Sequence, residues 1–328
     1  MPTMMINVLF LIVGFFMLVR GADIFVDGSA ALAKNFKVSS LIIGLTIVAC
    51  GTSAPELAVS TTASLQGSSE IAISNVFGSN TFNLLGILGI CSMIFPLSMS
   101  DNIRRRDFPY SLITTTILFL AIGGGLIALS NHFIGRDMSF KVATISRAMG
   151  VVMIIAYVLY VLYIIFREKK NQSPVDDIRT IPIRKCVLLI VAGLVLIIVG
   201  GNWVVDNAKE IALALGLTET LTGFTIVAIG TSLPELATSF VATRKGQIEL
   251  AIGNVIGSNI FNLLFILGIS ATINPVAVNL AAVYDMLIVI FATVLTLVFG
   301  LTNKRISRVE GGIMVGLYIL IVIYAIIR

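Results

Sequence analysis

The sequence predicts an all-α polytopic membrane protein: ten transmembrane helices forming two inverted five-helix repeats, with the second and seventh helices broken. Three observations carry that expectation. Of 328 residues, 57% are hydrophobic and only 12% are charged, against roughly 45–50% and about 25% in soluble domains. That is too little charge to coat globular surfaces for a chain of this length. Apolar runs recur at the length needed to cross a bilayer, about 20 residues. The chain also aligns with itself at an offset of 179 residues, without a gap from Gly21 to Ile90, and residues 44–90 match 223–269 at 31 of 47 positions.

The first five spans are expected near 4–32, 38–65, 71–95, 108–130 and 142–166, and the second five near 184–212, 217–243, 248–273, 279–301 and 309–327. The repeats are therefore 1–166 and 184–328, joined by a polar linker at 167–183. The first span lacks the basic flank of a signal peptide and has a counterpart inside the chain, so it reads as a mature helix. Each repeat has an odd number of helices, so the second must enter the membrane in the opposite sense.

Basic residues set the orientation. The odd-numbered connections carry sixteen Lys and Arg, among them Lys34, Lys37, Arg104, Arg105, Arg106, Lys304, Arg305 and Arg308. The even-numbered connections and the termini carry four. The odd connections, the 167–183 linker included, are expected in the cytoplasm and both termini outside, in a multi-pass protein of the cell membrane. The net charge of +5 thus needs no nucleic-acid partner, and no required protein partner is evident beyond the lipid bilayer. Cys50, Cys91 and Cys186 are odd in number and lack metal-ligand spacing. The only histidine, His132, falls in a connection and reads as solvated.

The best-matched segments of the repeat are polar. GTSAPELA at 51–58 faces GTSLPELA at 230–237, and NVFGSNTFNLLGILGI at 75–90 faces NVIGSNIFNLLFILGI at 254–269. Glu56 and Glu235 lie deep in apolar spans, where an ionisable side chain is costly and by default marks an ion or proton site. Pro55 and Pro234 remove helix donors, so spans two and seven should break there and line a cavity. Thr52, Ser53, Thr231 and Ser232 add hydroxyls beside the carboxylates. Asn75, Ser79 and Asn83 share a helical face at four-residue spacing, repeated by Asn254, Ser258 and Asn262. The inventory is carboxylate, hydroxyl, amide and carbonyl oxygen, which suits a hard cation rather than zinc or copper. Gly67, Gly78, Gly89, Gly246, Gly257 and Gly268 are expected to allow close helix packing. Trp203 reads as a packing or interface aromatic.

These motifs, GTSAPEL with GSNTFNLLGILG and GTSLPEL with GSNIFNLLFILG, resemble the alpha-repeats of the cation/calcium exchanger superfamily, and most of all its prokaryotic sodium/calcium exchangers. The resemblance implies a secondary antiporter, not an enzyme, that exchanges Na⁺ for Ca²⁺ by alternating access without a cofactor. It implies Glu56 and Glu235 as principal ligands. Hydroxyl ligands would come from Thr52, Ser53, Ser79, Thr231, Ser232 and Ser258, backbone carbonyls from Ala49 and Ala228, and Asn83 would sit at the centre. Many members carry an acid where this chain has Asn262, and its absence argues against potassium coupling. The resemblance further implies electrogenic exchange of three Na⁺ for one Ca²⁺. An H⁺/Ca²⁺ antiporter and, from another class, a cation channel remain open at this level.

Overall fold

The computed structural model describes residues 2–123, 138–170, 181–214 and 230–327. Helix α1 (Pro2–Phe36) leads into α2 (Ser40–Thr52), whose middle, Gly44–Val48, is π-helical; α3 (Ala54–Leu65) then leaves at 49° to α2. Helix α4 runs through Ser69–Thr81, a π-helical turn at Phe82–Ile87, and Leu88–Ile94. Helices α5 (Phe108–Ala121) and α6 (Arg147–Lys170) complete the first half. The second half holds α7 (Ile183–Ala214), α8 (Leu233–Arg244) and α9, the last built from Ile248–Ile260, a π-helical turn at Phe261–Ile266, and Leu267–Ile273. It ends with α10 (Leu280–Leu301) and α11 (Arg308–Ile327). Among the described residues, seven helices are long and apolar enough to cross a membrane, or eight if the bent pair α2–α3 counts as one. The chain is a multi-pass, mostly helical membrane protein.

Several boundaries differ from expectation, each for a local reason. Residues 142–145 do not open a helix: β2 (Lys141–Ile145) pairs antiparallel with β3 (Val276–Asn279), both rich in β-branched residues. A second ladder joins β1 (Leu97–Ser98) to β4 (Arg305–Ile306). Helix α5 stops at Ala121, ahead of Gly123 in the left-handed region at φ 74°. Two expected packing glycines are turn residues instead. Gly67 and Gly246 follow α3 and α8 at φ 78° and 73°, with nothing within 4 Å of a would-be Cβ, where glycine alone is unstrained. The π-helical turns of α4 and α9 were not expected. Each inserts an extra residue into its helical turn.

Other glycines hold helices at backbone contact. A Cβ on Gly14 would sit 2.9 Å from the Gly200 carbonyl oxygen, and one on Gly21 would sit 2.8 Å from that of Gly193. As numbers rise along α1 they fall along α7, so the two helices are antiparallel. At the offset of 179, Gly14 corresponds to Gly193 and Gly21 to Gly200; equivalent helices of the two repeats thus cross in opposite senses. Trp203 meets Phe10 edge-on across the same seam, ring centroids 5.0 Å apart. Gly89 of α4 packs on Gly311 of α11, while its counterpart Gly268 of α9 packs on Gly150 of α6. Each repeat therefore inserts its third helix against the last helix of the other. The main core draws on both halves, from Leu41, Phe77 and Leu85 to Ile256, Leu264 and Met286.

A bulky side chain at the α1–α7 seam must push two backbones apart. Gly193→Leu is expected to lower the melting temperature in detergent, at an overpacking cost of about 1–3 kcal/mol. Gly316→Leu, which meets nothing within 4 Å, should leave it unchanged.

Candidate cation site

The helix breaks sit at equivalent serines. Ser53 (φ −81°, ψ 13°) separates α2 from α3, and Ser232 (φ −93°, ψ 8°) precedes α8. Proline follows each in the first turn of the new helix, where its missing N–H would be unbonded anyway. This places Glu56 and Glu235 in the first turns of α3 and α8. A helix N-terminus carries partial positive charge and favours a carboxylate, so the break supplies each acid with a favourable field inside the membrane.

Both carboxylates are fully buried and close enough to repel each other. Among the described residues no Lys, Arg or His forms an ion pair with either. Their anchoring crosses between the repeats. Ser53 Oγ donates to Glu235 Oε1 at 2.7 Å, and Ser232 Oγ donates to Glu56 Oε1 at 2.9 Å. Ser79 Oγ also lies 3.3 Å from Glu56 Oε1. The other carboxylate oxygens, Glu56 Oε2 and Glu235 Oε2, are buried without a hydrogen-bond partner. One oxygen of each acid is thus fastened and the other left unbonded.

Asparagines brace the surroundings. Asn75 Nδ2 donates to Ser60 Oγ at 2.9 Å and to the Glu56 carbonyl at 3.4 Å; Asn254 Nδ2 makes the same pair with Ser239 and Glu235 at the same distances. These two amides tie helix to helix. At the centre, Asn83 Nδ2 donates to Asn259 Oδ1 at 3.0 Å and Asn262 Nδ2 to Asn80 Oδ1 at 3.1 Å. Asn80 and Asn259 in turn bond each other's backbone carbonyls at 3.1 and 3.4 Å. Because their nitrogens are engaged, Asn83 and Asn262 present Oδ1 atoms that are buried and unpartnered.

The hydroxyls divide unequally between halves. Thr52 Oγ1 donates to Asn254 Oδ1 at 3.0 Å and lies 3.3 Å from the Ala49 carbonyl, whereas the equivalent Thr231 Oγ1 has no partner. Ser79 Oγ accepts from Asn262 Nδ2 at 3.2 Å and lies 2.9 Å from Ser232 Oγ. Its counterpart Ser258 lies near the Glu235 carboxyl without closing an ordinary hydrogen bond. The Ala49 carbonyl, which the resemblance implies as a ligand, accepts the Ser53 N–H at 3.0 Å, because the helical turn continues as far as Ser53. Ala228 lies outside the described residues, as does His132.

The result is a set of buried, unpartnered oxygens on two carboxylates, two amides and two hydroxyls, in a region where most polar atoms are satisfied. Two buried acids without a basic partner among the described residues are neutralised by a proton or by a bound cation, and an all-oxygen set suits a hard cation such as Ca²⁺. Asn80, Asn259, Ser60 and Ser239 escaped the sequence reading as bracing residues. The signal was present, since each is identical in both halves at the 179-residue offset.

The sequence profile of the sodium/calcium exchanger protein family matches residues 6–166 and 185–327. Sodium/calcium exchanger MaX1 of Methanosarcina acetivorans is 32% identical over 348 residues, spanning 96% of this chain and 97% of its own. The inner membrane protein YrbG of Escherichia coli is 34% identical over 272 residues, 83% of this chain and 81% of its own. A solved structure of the sodium-calcium exchanger NCX_Mj, soaked with 2.5 mM Na⁺ and 0.1 mM Ca²⁺, superposes with a TM-score of 0.79 at 30% identity, covering 96% of this chain and 97% of that one.

The asparagine brace yields a direct test. Asn259→Ala removes the acceptor that orients Asn83 and the donor to the Asn80 carbonyl. Buried groups left unpaired cost about 1–3 kcal/mol each, so a lower melting temperature is expected, together with weaker Ca²⁺ binding by titration. A variant that melts and binds as the parent does would remove the brace from the account.

Proposed function

The chain belongs to the sodium/calcium exchanger protein family, and on that premise we propose that it is a secondary antiporter exchanging Na⁺ for Ca²⁺ through the Glu56–Glu235 site. The observation that carries the proposal is the pairing of two buried acids whose Oε1 atoms are held by serines of opposite repeats while their Oε2 atoms are unbonded. Ligands in this reading are Glu56 and Glu235, with Thr231, Ser258, Asn83 and Asn262 offering oxygens. Ser53, Ser232, Ser79, Thr52 and Ala49 hold the arrangement and enter the ligand set only as their present bonds open. Ca²⁺ and Na⁺ are cargo, and no resident cofactor is assigned.

Coupling follows from charge. The empty site holds two carboxylates, and moving unpaired charge through a low-dielectric barrier is costly. Ca²⁺ neutralises them, and so do two or more Na⁺; a loaded carrier can switch and an empty one stays put. The architecture we assign is ten helices in two inverted repeats, with α2–α3 as the broken second helix. Support comes from the antiparallel crossing of the equivalent helices α1 and α7 and from the matched π-helical turns and serine breaks in the two halves. Cell-membrane location, external termini and a cytoplasmic 167–183 linker follow from the distribution of basic residues. Na⁺ is favoured over H⁺ as the coupling ion because a proton needs no cage of hydroxyl and amide oxygens.

In proteoliposomes, radiolabelled Ca²⁺ uptake should require an outward Na⁺ gradient and should not respond to an imposed H⁺ gradient. Uptake driven by H⁺ alone would favour the H⁺/Ca²⁺ reading, and rapid uptake with no countercation would indicate a channel. Glu56→Gln and Glu235→Gln should each abolish uptake while leaving a folded protein, because a mispaired buried charge costs several kcal/mol. If three Na⁺ move against one Ca²⁺, an inside-positive potential of about 100 mV contributes roughly 2.3 kcal/mol per cycle and should speed uptake into Na⁺-loaded vesicles. With Asn262 in place of an acid, external K⁺ should neither be required nor accelerate exchange.

A further inference from the structure

We propose that the corner where the α4–α5 and α10–α11 connections meet is a binding site for the phosphate headgroup of an anionic phospholipid. The β1·β4 ladder brings these distant segments together, pairing Ser98 with Arg305, and the Met99 N–H donates to the Lys304 carbonyl at 2.9 Å. Arg104, Arg105 and Arg106 follow directly in the π-helical turn Ile103–Asp107 that leads into α5. Arg308 adds a contact to the Ile94 carbonyl at 3.2 Å, so six basic residues converge at one end of the helices α4, α10 and α11, each of which is long and apolar enough to span a membrane.

Acids at the corner account for only part of this charge. Arg106 is taken by Asp107 through contacts of 2.6 and 3.1 Å, and Arg104 is paired with Asp101. Glu310 accepts from Thr302 and from the Ser307 N–H and lies beside Arg305. Arg105, Lys304 and Arg305 are exposed and form no salt bridge among the described residues. The Arg104 side chain is only 8% exposed, and its Nε is buried without an acceptor. Beside the cations stand exposed apolar residues, Phe95 on one connection and Leu301 and Val309 on the other. A charged rim continuous with an apolar skirt complements a phosphate carrying acyl chains, and a bilayer presents that molecule at this depth.

The corresponding corner of the other half, at the β2·β3 ladder, lacks the arginine triplet. There Arg147 donates to the Ile273 carbonyl at 3.3 Å, as Arg308 does to the Ile94 carbonyl at 3.2 Å. That arginine is common to both corners. At the 179-residue offset, however, Arg104, Arg105 and Arg106 correspond to Val283, Tyr284 and Asp285.

The test uses the purified full chain in detergent, with melting temperature and the number of co-purified lipids by native mass spectrometry as readouts. Phosphatidylglycerol should raise the melting temperature and be retained in preference to phosphatidylcholine. Equal effects of the two lipids on the unmodified protein would overturn the proposal. Each basic residue near an anionic surface contributes about fivefold in affinity, so R105Q/K304N/R305Q should reduce the preference on the order of a hundredfold. K34Q/K37N/R244Q removes as many cations elsewhere and should retain it. Equal loss in both variants would mean a diffuse charge effect and would defeat the assignment. Stabilisation by inorganic phosphate alone, as strong as that by phosphatidylglycerol, would also defeat it.

Discussion

Two buried carboxylates, with no basic side chain paired to either among the described residues, set the terms for the rest of the molecule. Such a pair is stabilised where the surroundings supply partial positive charge and a proton or a bound cation supplies the remainder. The broken helices provide the former. New helices start after Ser53 and after Ser232, and the first turn of each carries the acid; the proline that follows costs no hydrogen bond in that position. The serine at each break then reaches the acid of the other repeat. Neither repeat can complete its own half of the site, so the duplication is a chemical necessity as well as an architectural one.

Close packing makes that exchange rigid. Asparagines tie the break-bearing helices to α4 and α9, and the Asn80–Asn259 clasp fixes the relative position of the two halves at their centre. Outside this core, α1 and α7 lie against each other at glycine contacts and join a second, smaller hydrophobic cluster with α8 and part of α9. The two halves are not equivalent in detail. Thr52 is bonded where Thr231 is unpartnered, and Asn254 is buried where Asn75 is half-exposed. Equivalent residues of the two halves thus make different contacts at the same place in the fold.

Much of this was legible in the sequence because the strongest signals were polar residues in apolar surroundings. Glu56, Glu235 and the G-T-S-x-P segments declare a helix break and a charged site through their sheer cost. The 179-residue offset declares that two such sites must meet. What escaped was whatever depends on helix geometry finer than a 3.6-residue period. The π-helical turns at Phe82–Ile87 and Phe261–Ile266 have no compositional mark. Of the strands in the two short ladders, only β2 lies largely inside a run that hydropathy reads as a membrane span; the others fall in connections. Gly67 and Gly246 resemble packing glycines in composition, and only their left-handed backbone marks them as turns. The Asn80–Asn259 clasp went unread because an amide beside a serine looks like an ordinary helix contact until the partner repeat is in place.

The central claim is that Ca²⁺ and Na⁺ occupy one site, built on the unbonded oxygens of Glu56 and Glu235. Equilibrium Ca²⁺ binding to the purified protein, titrated at increasing Na⁺, tests this most directly. The account predicts that Na⁺ displaces Ca²⁺ competitively and that binding vanishes when both glutamates are replaced by glutamine. Ca²⁺ binding that is unaffected by saturating Na⁺, or that survives in the double variant, would contradict it.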